Sequence, residues 1–230
     1  ASTRLINADL LKSALRLSSI AKLPITYIFT HDSIYSSEQG IAFEPIEQLT
    51  MLRSIPNMTV FRPADINEII GAWEYILKNK GPVSIVLSTQ KLPKLKHTNG
   101  KYVQYGAYIV RKEKYHLDGI IIATGSEVAI AIKISEELYT SGIDLRVVSM
   151  PSLELFLKQK SIYEEKLLPK DIKTITLEAG STMLWHRFAS SKECAIGIDT
   201  FGTCGKTNDV LKYAEFDYNS LLIKIKNMFE

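Results

Sequence analysis

The chain has 230 residues, of which 46% are hydrophobic, and its 28 basic residues nearly balance 25 acidic ones for a net charge of +3. This composition supports one or two domains with a buried core and excludes a basic arm for nucleic acid. Apolar runs reach only about eight residues, well short of the roughly twenty that cross a bilayer, so no membrane segment is expected. The two cysteines, Cys194 and Cys204, lack metal-ligand spacing and follow no signal peptide. We therefore expect free thiols in an intracellular, cytoplasmic protein, with a disulfide as the less favoured alternative.

The N-terminal stretch shows no strand signal, and apolar residues at helical spacing then predict a helix that ends near Ala21. Ile25 to Phe29 is a short run of β-branched and aromatic residues, which predicts a buried strand. The strand stops at a polar cluster, Thr30-His31-Asp32-Ser33. In open α/β sheets, polar residues at strand ends face the ligand crevice, so this cluster is the first candidate site.

The remainder of the first unit alternates between helices and strands. Pro45 is predicted to open a helix over residues 45–54. Asp65 and Glu68 form a capping-box pair at the start of a second helix, and Gly81 is predicted to end it at positive φ. Two apolar strands complete the pattern, at residues 58–61 and 83–87.

Residues 89–104 are polar and carry five basic side chains around Pro93 and the turn pair Asn99-Gly100. We interpret them as a solvated surface linker, and phosphate binding by the lysines is the less favoured alternative. The predicted division is therefore a first domain over residues 1–93, a linker over 94–105 and a second domain over 106–230.

The second unit also alternates, with strands predicted at 108–110, 119–124, 145–149, 172–177 and 196–198 and helices at 127–140, 153–158, around Trp185 and at 219–229. Thr124-Gly125-Ser126 is interpreted as a tight turn capped by Ser126, and anion binding there is the less favoured alternative. The pattern predicts an α/β protein with two doubly wound domains and mostly parallel sheets.

The segment Thr30-His31-Asp32-Ser33-Ile34, followed by a Gly-containing loop and Pro45-Ile46-Glu47-Gln48-Leu49, resembles the pyrimidine-binding domain of transketolases. Further segments resemble the same family in order: 51–65, 81–93, 122–128, 146–156, 178–187 and 197–202. The resemblance implies an incomplete pyrimidine-type domain of the thiamine diphosphate fold, followed by a transketolase C-terminal-like domain. It also implies transfer of a two-carbon ketol unit between sugar phosphates, with thiamine diphosphate and Mg²⁺ as cofactors.

The resemblance also marks positions where this chain departs from the family. Three aromatic residues of the family's pyrimidine pocket align with Arg4, Asn7 and Leu10. An aspartate that bonds a substrate hydroxyl is replaced by Gln39. A histidine near the substrate phosphate is replaced by Phe43, and a phosphate-clamping arginine by Thr89.

Only His31 keeps the family's substrate-contacting identity, and it is equally interpretable as hydrogen-bonded scaffolding at a strand end. The Trp185-His186-Arg187 segment is a family structural signature, with catalysis there as a minor alternative. We therefore expect no catalytic, cofactor-binding or metal-binding residue in this chain, and His31 as the one candidate substrate contact.

In the family, the diphosphate and its metal lie on a preceding domain, and the polarising acid lies on a helix before the point where this chain starts. We therefore expect a transketolase-like protein without cofactor binding or activity as an isolated chain. The alternative is the catalytic C-terminal part of a divergent transketolase, whose cofactor domain is on a missing segment or a partner chain. A subunit of a related thiamine enzyme, such as a pyruvate dehydrogenase β-like chain, would predict an intact pocket. The expected partners are a second copy or a partner chain, with sugar phosphate only if the protein is active.

Overall fold

The computed structural model describes residues 1–229, in which strands and helices alternate along most of the chain. The strands are β1 (Ser2–Arg4), β2 (Thr26–Thr30), β3 (Thr59–Phe61), β4 (Val83–Val86), β5 (Tyr108–Arg111), β6 (Gly119–Ala123), β7 (Leu145–Ser149), β8 (Lys173–Leu177) and β9 (Ala195–Ile196). The helices are α1 (Ala8–Ile20), α2 (Gln48–Arg53), α3 (Ile66–Lys78), α4 (Gly100–Val103), α5 (Glu127–Thr140), α6 (Leu153–Phe156), α7 (Ser161–Leu167), α8 (Thr207–Tyr213) and α9 (Tyr218–Asn227). Short 3₁₀ segments lie at Leu5–Asn7, Ile34–Gln39, Ile41–Phe43 and Thr182–Arg187.

The strands form two separate sheets. The first has the order β1-β2-β4-β3 and is parallel throughout, whereas the second has the order β5-β7-β6-β8-β9 and is parallel except where β5 meets β7. Every residue of β6 and β7 is buried, as expected for strands that are covered by helices on both faces. The predicted fold class, two α/β units with mostly parallel sheets, is confirmed. No helix within residues 1–229 has both the length and the apolar character to cross a bilayer.

The prediction that the chain begins without a strand was wrong. Ser2–Arg4 forms β1, which pairs with β2 in parallel register, with Arg4 opposite Thr30. Three residues are too short for a period-2 pattern, so this strand exists because of its long-range pairing and not because of a local signal.

Two predicted helix ends in the first unit were also wrong. Pro45 does not open a helix, and α2 begins at Gln48. The Gln48 side chain accepts a hydrogen bond from the Ile46 amide at 2.9 Å. Gly81 is not a positive-φ cap either, since α3 ends with extended backbone at Asn79. Gly81 precedes Pro82, and the residue before a proline is restricted to extended conformations.

The predicted capping at the start of α3 was confirmed in the structure. Asp65 Oδ1 accepts from the Glu68 amide at 3.1 Å, while the Glu68 carboxylate accepts from the Ala64 amide at 2.7 Å. In the second unit, α5 spans the predicted residues, but Ser126 does not cap it. Its hydroxyl donates instead to Glu127 Oε1 at 2.7 Å. Sequence reasoning missed α7 and α8.

The segment between the two sheets is anchored. The Leu95 amide and the Thr98 hydroxyl donate to Asp65 Oδ2 at 2.9 and 2.6 Å. Val103 is fully buried, and α4 packs so closely on α3 that a Cβ on Gly71 would lie 2.3 Å from the Gly100 carbonyl oxygen. The five basic side chains of this region are exposed, in line with a solvated charge run.

Candidate functional site

The carboxyl ends of β1, β2 and β4 meet at one edge of the first sheet. Arg4 closes β1, Thr30 and His31 close β2, and Thr89 follows β4, while the 3₁₀ segment Ile34–Gln39 passes over them. Parallel strands present this edge to ligands in open α/β sheets. We call the group of Arg4, His31, Ser36, Gln39 and Thr89 the strand-end crevice.

His31 has an unusual backbone in this crevice. Its φ is +58°, a left-handed conformation that costs a non-glycine residue about 1 to 3 kcal/mol and that often marks functional sites. A hydrogen bond of 2.9 Å joins Thr30 Oγ1 to His31 Nδ1, and no protein group in residues 1–229 bonds to Nε2. Burial and the nearby Arg4 charge lower the pKa of His31, while Asp32 acts in the opposite direction. At neutral pH the ring is therefore an uncharged donor or acceptor.

The side chains at the substituted positions Gln39 and Thr89 bond to other residues of the chain. Arg4 Nη1 donates to Gln39 Oε1, and a hydrogen bond of 3.3 Å joins the hydroxyls of Ser36 and Thr89. The structure thus brings together three of the six departures, Arg4, Gln39 and Thr89, on one edge, and Phe43 stands apart with 46% of its surface exposed.

The positions aligned with the pyrimidine pocket do not form an aromatic pocket in the described residues. Asn7 Nδ2 donates to Thr3 Oγ1 at 2.7 Å, and Leu10 is 85% exposed. Both line a shallow groove beside β1 with Tyr27 and Phe29, whose rings are largely covered by α1 and the sheet. These side chains, together with an Arg4 that is held by Gln39, do not fit a planar heterocycle.

A group of buried charged side chains lies beside the crevice, and sequence reasoning missed it. Five buried residues from both sheets form what we call the buried charge cluster: Asp32, Arg53, Arg62, Glu127 and Glu178. Asp32, Arg62 and Glu178 sit within two residues of the end of an apolar strand, and Glu127 is the first residue of α5 after β6. These positions were the signal that could have revealed the cluster.

Arg62 is the centre of that cluster. Its guanidinium donates to Asp32 Oδ2 at 2.7 and 3.1 Å, to the Thr124 carbonyl at 2.9 Å and to Glu127 Oε2. Gly125 has a φ of +59°, and a Cβ there would lie 2.7 Å from the guanidinium carbon. Only glycine therefore permits this close approach between the two sheets.

Arg53 and Glu178 form the second half of the cluster. They make a bidentate pair at 2.7 and 2.8 Å, and Trp185 Nε1 donates to Glu178 at 2.6 Å. Burial raises the pKa of Glu127 even though Arg62 opposes that shift. For Glu178, burial acts upward, but Arg53 and the other donors hold its pKa below the ordinary range.

The remaining candidates take part in local structure. His186 Nε2 lies 3.1 Å from the Thr182 hydroxyl, which itself donates to Asp199 at 2.6 Å. Trp185 is buried beneath Arg53, with the guanidinium carbon 5.3 Å from its ring centre. Cys194 is buried and Cys204 is exposed, and neither forms a disulfide. Residues 1–229 contain no group of three or more metal-ligating side chains arranged to hold an ion.

The two units, each built on a mostly parallel sheet with helices between its strands, define the chain as an α/β protein. Two family models match it: the transketolase pyrimidine-binding domain over residues 6–94 and the transketolase-like C-terminal domain over residues 106–217. This chain belongs to the transketolase family.

Curated relatives and solved structures agree with the family. A transketolase of Staphylococcus epidermidis is 42% identical over 233 residues, which cover 99% of this chain and 35% of the relative. A transketolase structure from Pichia stipitis superposes with a TM-score of 0.93 at 32% identity, over 99% of this chain and 33% of that one. A split gene transketolase, described as an inactive β4 tetramer, shares the fold with a TM-score of 0.78 at 21% identity, over 100% of this chain and 75% of that one. The chain spans about a third of the length of the curated relatives it matches.

Proposed function

We propose that this transketolase-family chain neither binds thiamine diphosphate nor transfers ketol units by itself. The observation that carries the proposal is the state of the pocket positions: Arg4 is held by Gln39, Asn7 by Thr3, and Leu10 points to solvent. A fold retained around altered ligand positions favours a structural or interaction role over independent catalysis.

The energetics support this proposal. Aromatic stacking is worth about 0.5 to 1.5 kcal/mol beyond burial, and burying the ring adds roughly 2 kcal/mol. Without stacking partners at Arg4, Asn7 and Leu10, the described surface offers less than the cost of immobilising a ligand, which is at least about 4 kcal/mol.

The second candidate is the catalytic C-terminal part of a divergent transketolase, with its cofactor domain on another segment or chain. Two observations favour it: the chain spans about a third of its relatives, and His31 Nε2 bonds to no protein group within residues 1–229. In that case, the neutral His31 ring would hydrogen-bond a hydroxyl of a sugar phosphate.

Calorimetric titration of the purified chain with thiamine diphosphate and magnesium tests the first proposal. We expect no saturable heat, and saturable binding tighter than roughly 100 μM, about 5.5 kcal/mol, would contradict the proposal. The matched control is the triple variant Gln39→Asp, Phe43→His, Thr89→Arg, which rebuilds only the substrate side. We expect it to remain inactive in a ketol-transfer assay when tested alone, and activity on mixing with a cofactor-binding partner would favour the second candidate.

We also propose that the chain associates with a second copy or with a partner chain. Leu10, Leu17 and Ile20 on α1 are more than half exposed, and β1 is the edge strand of its sheet. The tetrameric state given for the split gene transketolase supports an oligomer, and a clean monomer in sedimentation at micromolar concentration would count against it. The intracellular, cytoplasmic location stays a prediction.

A further inference from the structure

Glu44 is a buried acid without a partner. It follows the 3₁₀ turn Ile41–Phe43, is only 2% exposed, and neither of its carboxylate oxygens has a hydrogen-bond partner in the described residues. Gly202 lies opposite, so close that a Cβ there would be 2.5 Å from Glu44 Oε2. The side chain of Glu44 therefore packs directly on the backbone of the loop over residues 199–205.

Other contacts join the same two regions. Ser37 Oγ donates to the Gly205 carbonyl at 3.3 Å, and Thr207 Oγ1 donates to the Tyr35 carbonyl at 3.4 Å. Residues 34–45, which we call the crevice segment, also carry Ser36 and Gln39, which contact Thr89 and Arg4. The position of this segment against the second sheet's loops thus sets the geometry of the strand-end crevice.

A carboxylate in this position would be a buried charge without donors, and such groups in proteins take up a proton instead. Burial accordingly raises the pKa of Glu44 above its ordinary value of 4.5. The chain on its own side carries Glu38 and Glu47, and the facing chain from residue 199 into α8 carries Asp199, Cys204, Lys206 and Asp209. None of them contributes to the shift, which burial alone causes.

We propose that Glu44 is a pH-sensitive latch, which as a neutral acid holds the crevice segment against residues 199–205 and as a carboxylate releases it. The latch is independent of thiamine diphosphate chemistry and of the function proposed above. Because the acid is easier to ionise in the open form, the closed form is fully stabilised below the ordinary pKa. That stabilisation is lost as the pH rises through the pKa of the closed form.

Hydrogen exchange of the full chain, followed by mass spectrometry at pH 5, 6, 7 and 8, tests the latch. After correction for intrinsic exchange rates, we expect protection of peptides from 34–45 and 199–205 to fall with rising pH. The expected fall is about tenfold per pH unit between the two pKa values, since one pKa unit is a tenfold change in the equilibrium. Glu44→Gln should remove this dependence because the amide stays neutral.

Glu38→Gln is the matched control, since it removes an exposed carboxylate from the same segment and should follow the wild-type profile. The same pH dependence in wild type and Glu44→Gln would overturn the proposal. Should Glu44→Gln not fold, carboxyl-carbon NMR titration of the wild-type chain decides, because titration of Glu44 at its ordinary pKa would equally overturn it. Neither readout involves the cofactor, so the latch and the proposed function fail separately.

Discussion

At the scale of single residues, Arg62 is a buried cation that pairs with two buried carboxylates. Its side chain is 1% exposed and contacts Asp32 and Glu127, both equally buried. A buried ion pair adds little net stability compared with apolar residues of the same shape, but removing one partner leaves an uncompensated charge. Removal of any one member of the cluster is therefore expected to leave another buried charge without its partner.

We predict that Arg62→Met lowers the free energy of unfolding by about 3 to 5 kcal/mol at pH 7, because Asp32 and Glu127 lose their shared cation. Urea denaturation measures the change. Lys170→Met, which breaks an exposed pair with Glu165, is the matched control and should cost less than about 1 kcal/mol. Equal effects of the two variants would contradict this picture.

The loss in Arg62→Met should also depend on pH. The pKa of Glu127 is already raised by burial, and removing Arg62 takes away the charge that opposes the shift. A raised pKa gives stability that is lost as the pH rises through it, so the variant should lose less stability at pH 5 than at pH 8. A denaturation series across that range gives the slope, and a loss that is constant with pH would exclude a titrating carboxyl.

Sequence reasoning located some of these residues and missed others for a physical reason. Arg4, His31, Gln39 and Thr89 were identified because a family pattern marks their positions, and they do meet at one sheet edge. The buried charge cluster was missed because its partners lie far apart in sequence: Arg53 and Glu178 are separated by 125 residues. The role of His31 as a substrate contact stays a prediction.

At the scale of elements, the contact between α3 and α4 shows packing overriding helix propensity. Gly71 lies inside α3, where alanine would ordinarily be favoured by about 1 kcal/mol. Here a Cβ would approach the backbone of Gly100 to 2.3 Å, which is a collision with main-chain atoms that cannot rotate away. Gly71 is therefore required by the close packing of α4 on α3, and not by the backbone conformation of α3 itself.

We predict that Gly71→Ala destabilises the protein by about 1 to 3 kcal/mol through overpacking. Gly81→Ala is the matched control, because its φ is not positive and the nearest atom to a new Cβ is 3.5 Å away. It should be neutral or stabilising by up to about 1 kcal/mol. Thermal unfolding of both variants provides the comparison, and a stabilised Gly71→Ala would mean that α4 can move off α3.

Elements with long, strong periodicity were predicted well, and short ones were not. α5 and β7 have the predicted bounds, since fourteen helical residues and five consecutive buried strand residues leave clear patterns. β1 was missed and the start of α2 was misplaced. With three and six residues, these elements are too short to show a clear local pattern, and tertiary contacts decide where they lie. The helix predicted around Trp185 is present as a 3₁₀ helix, with Trp185 held by Glu178.

At the scale of the whole molecule, the two sheets are joined by more than the connecting segment. The buried charge cluster spans both, and Asp65 fastens the connection at Leu95 and Thr98. The fold class was predictable because strand and helix periods alternate on both sides of residue 100. The hydrogen bonds of Asp65 and the buried charge cluster were not predictable in this way. The division at residues 93 and 106 stays a proposal.

We predict a single cooperative unfolding transition for residues of both sheets. In Trp73→Phe, fluorescence reports Trp185 alone, and its urea midpoint should coincide with that of far-ultraviolet circular dichroism. Trp73 is 38% exposed, so its replacement disturbs little. In Trp73→Phe combined with Arg62→Met, the two midpoints should separate, and separate midpoints without Arg62→Met would mean that the sheets unfold independently.

The spacing of the buried charge cluster also bears on how the chain is made. Arg53 leaves the ribosome 125 residues before Glu178, its bidentate partner. At a synthesis rate of roughly 5 to 20 residues per second, Glu178 is added about 6 to 25 seconds after Arg53. During synthesis, the first sheet therefore keeps Arg53 without its bidentate partner until the segment that carries Glu178 has been made.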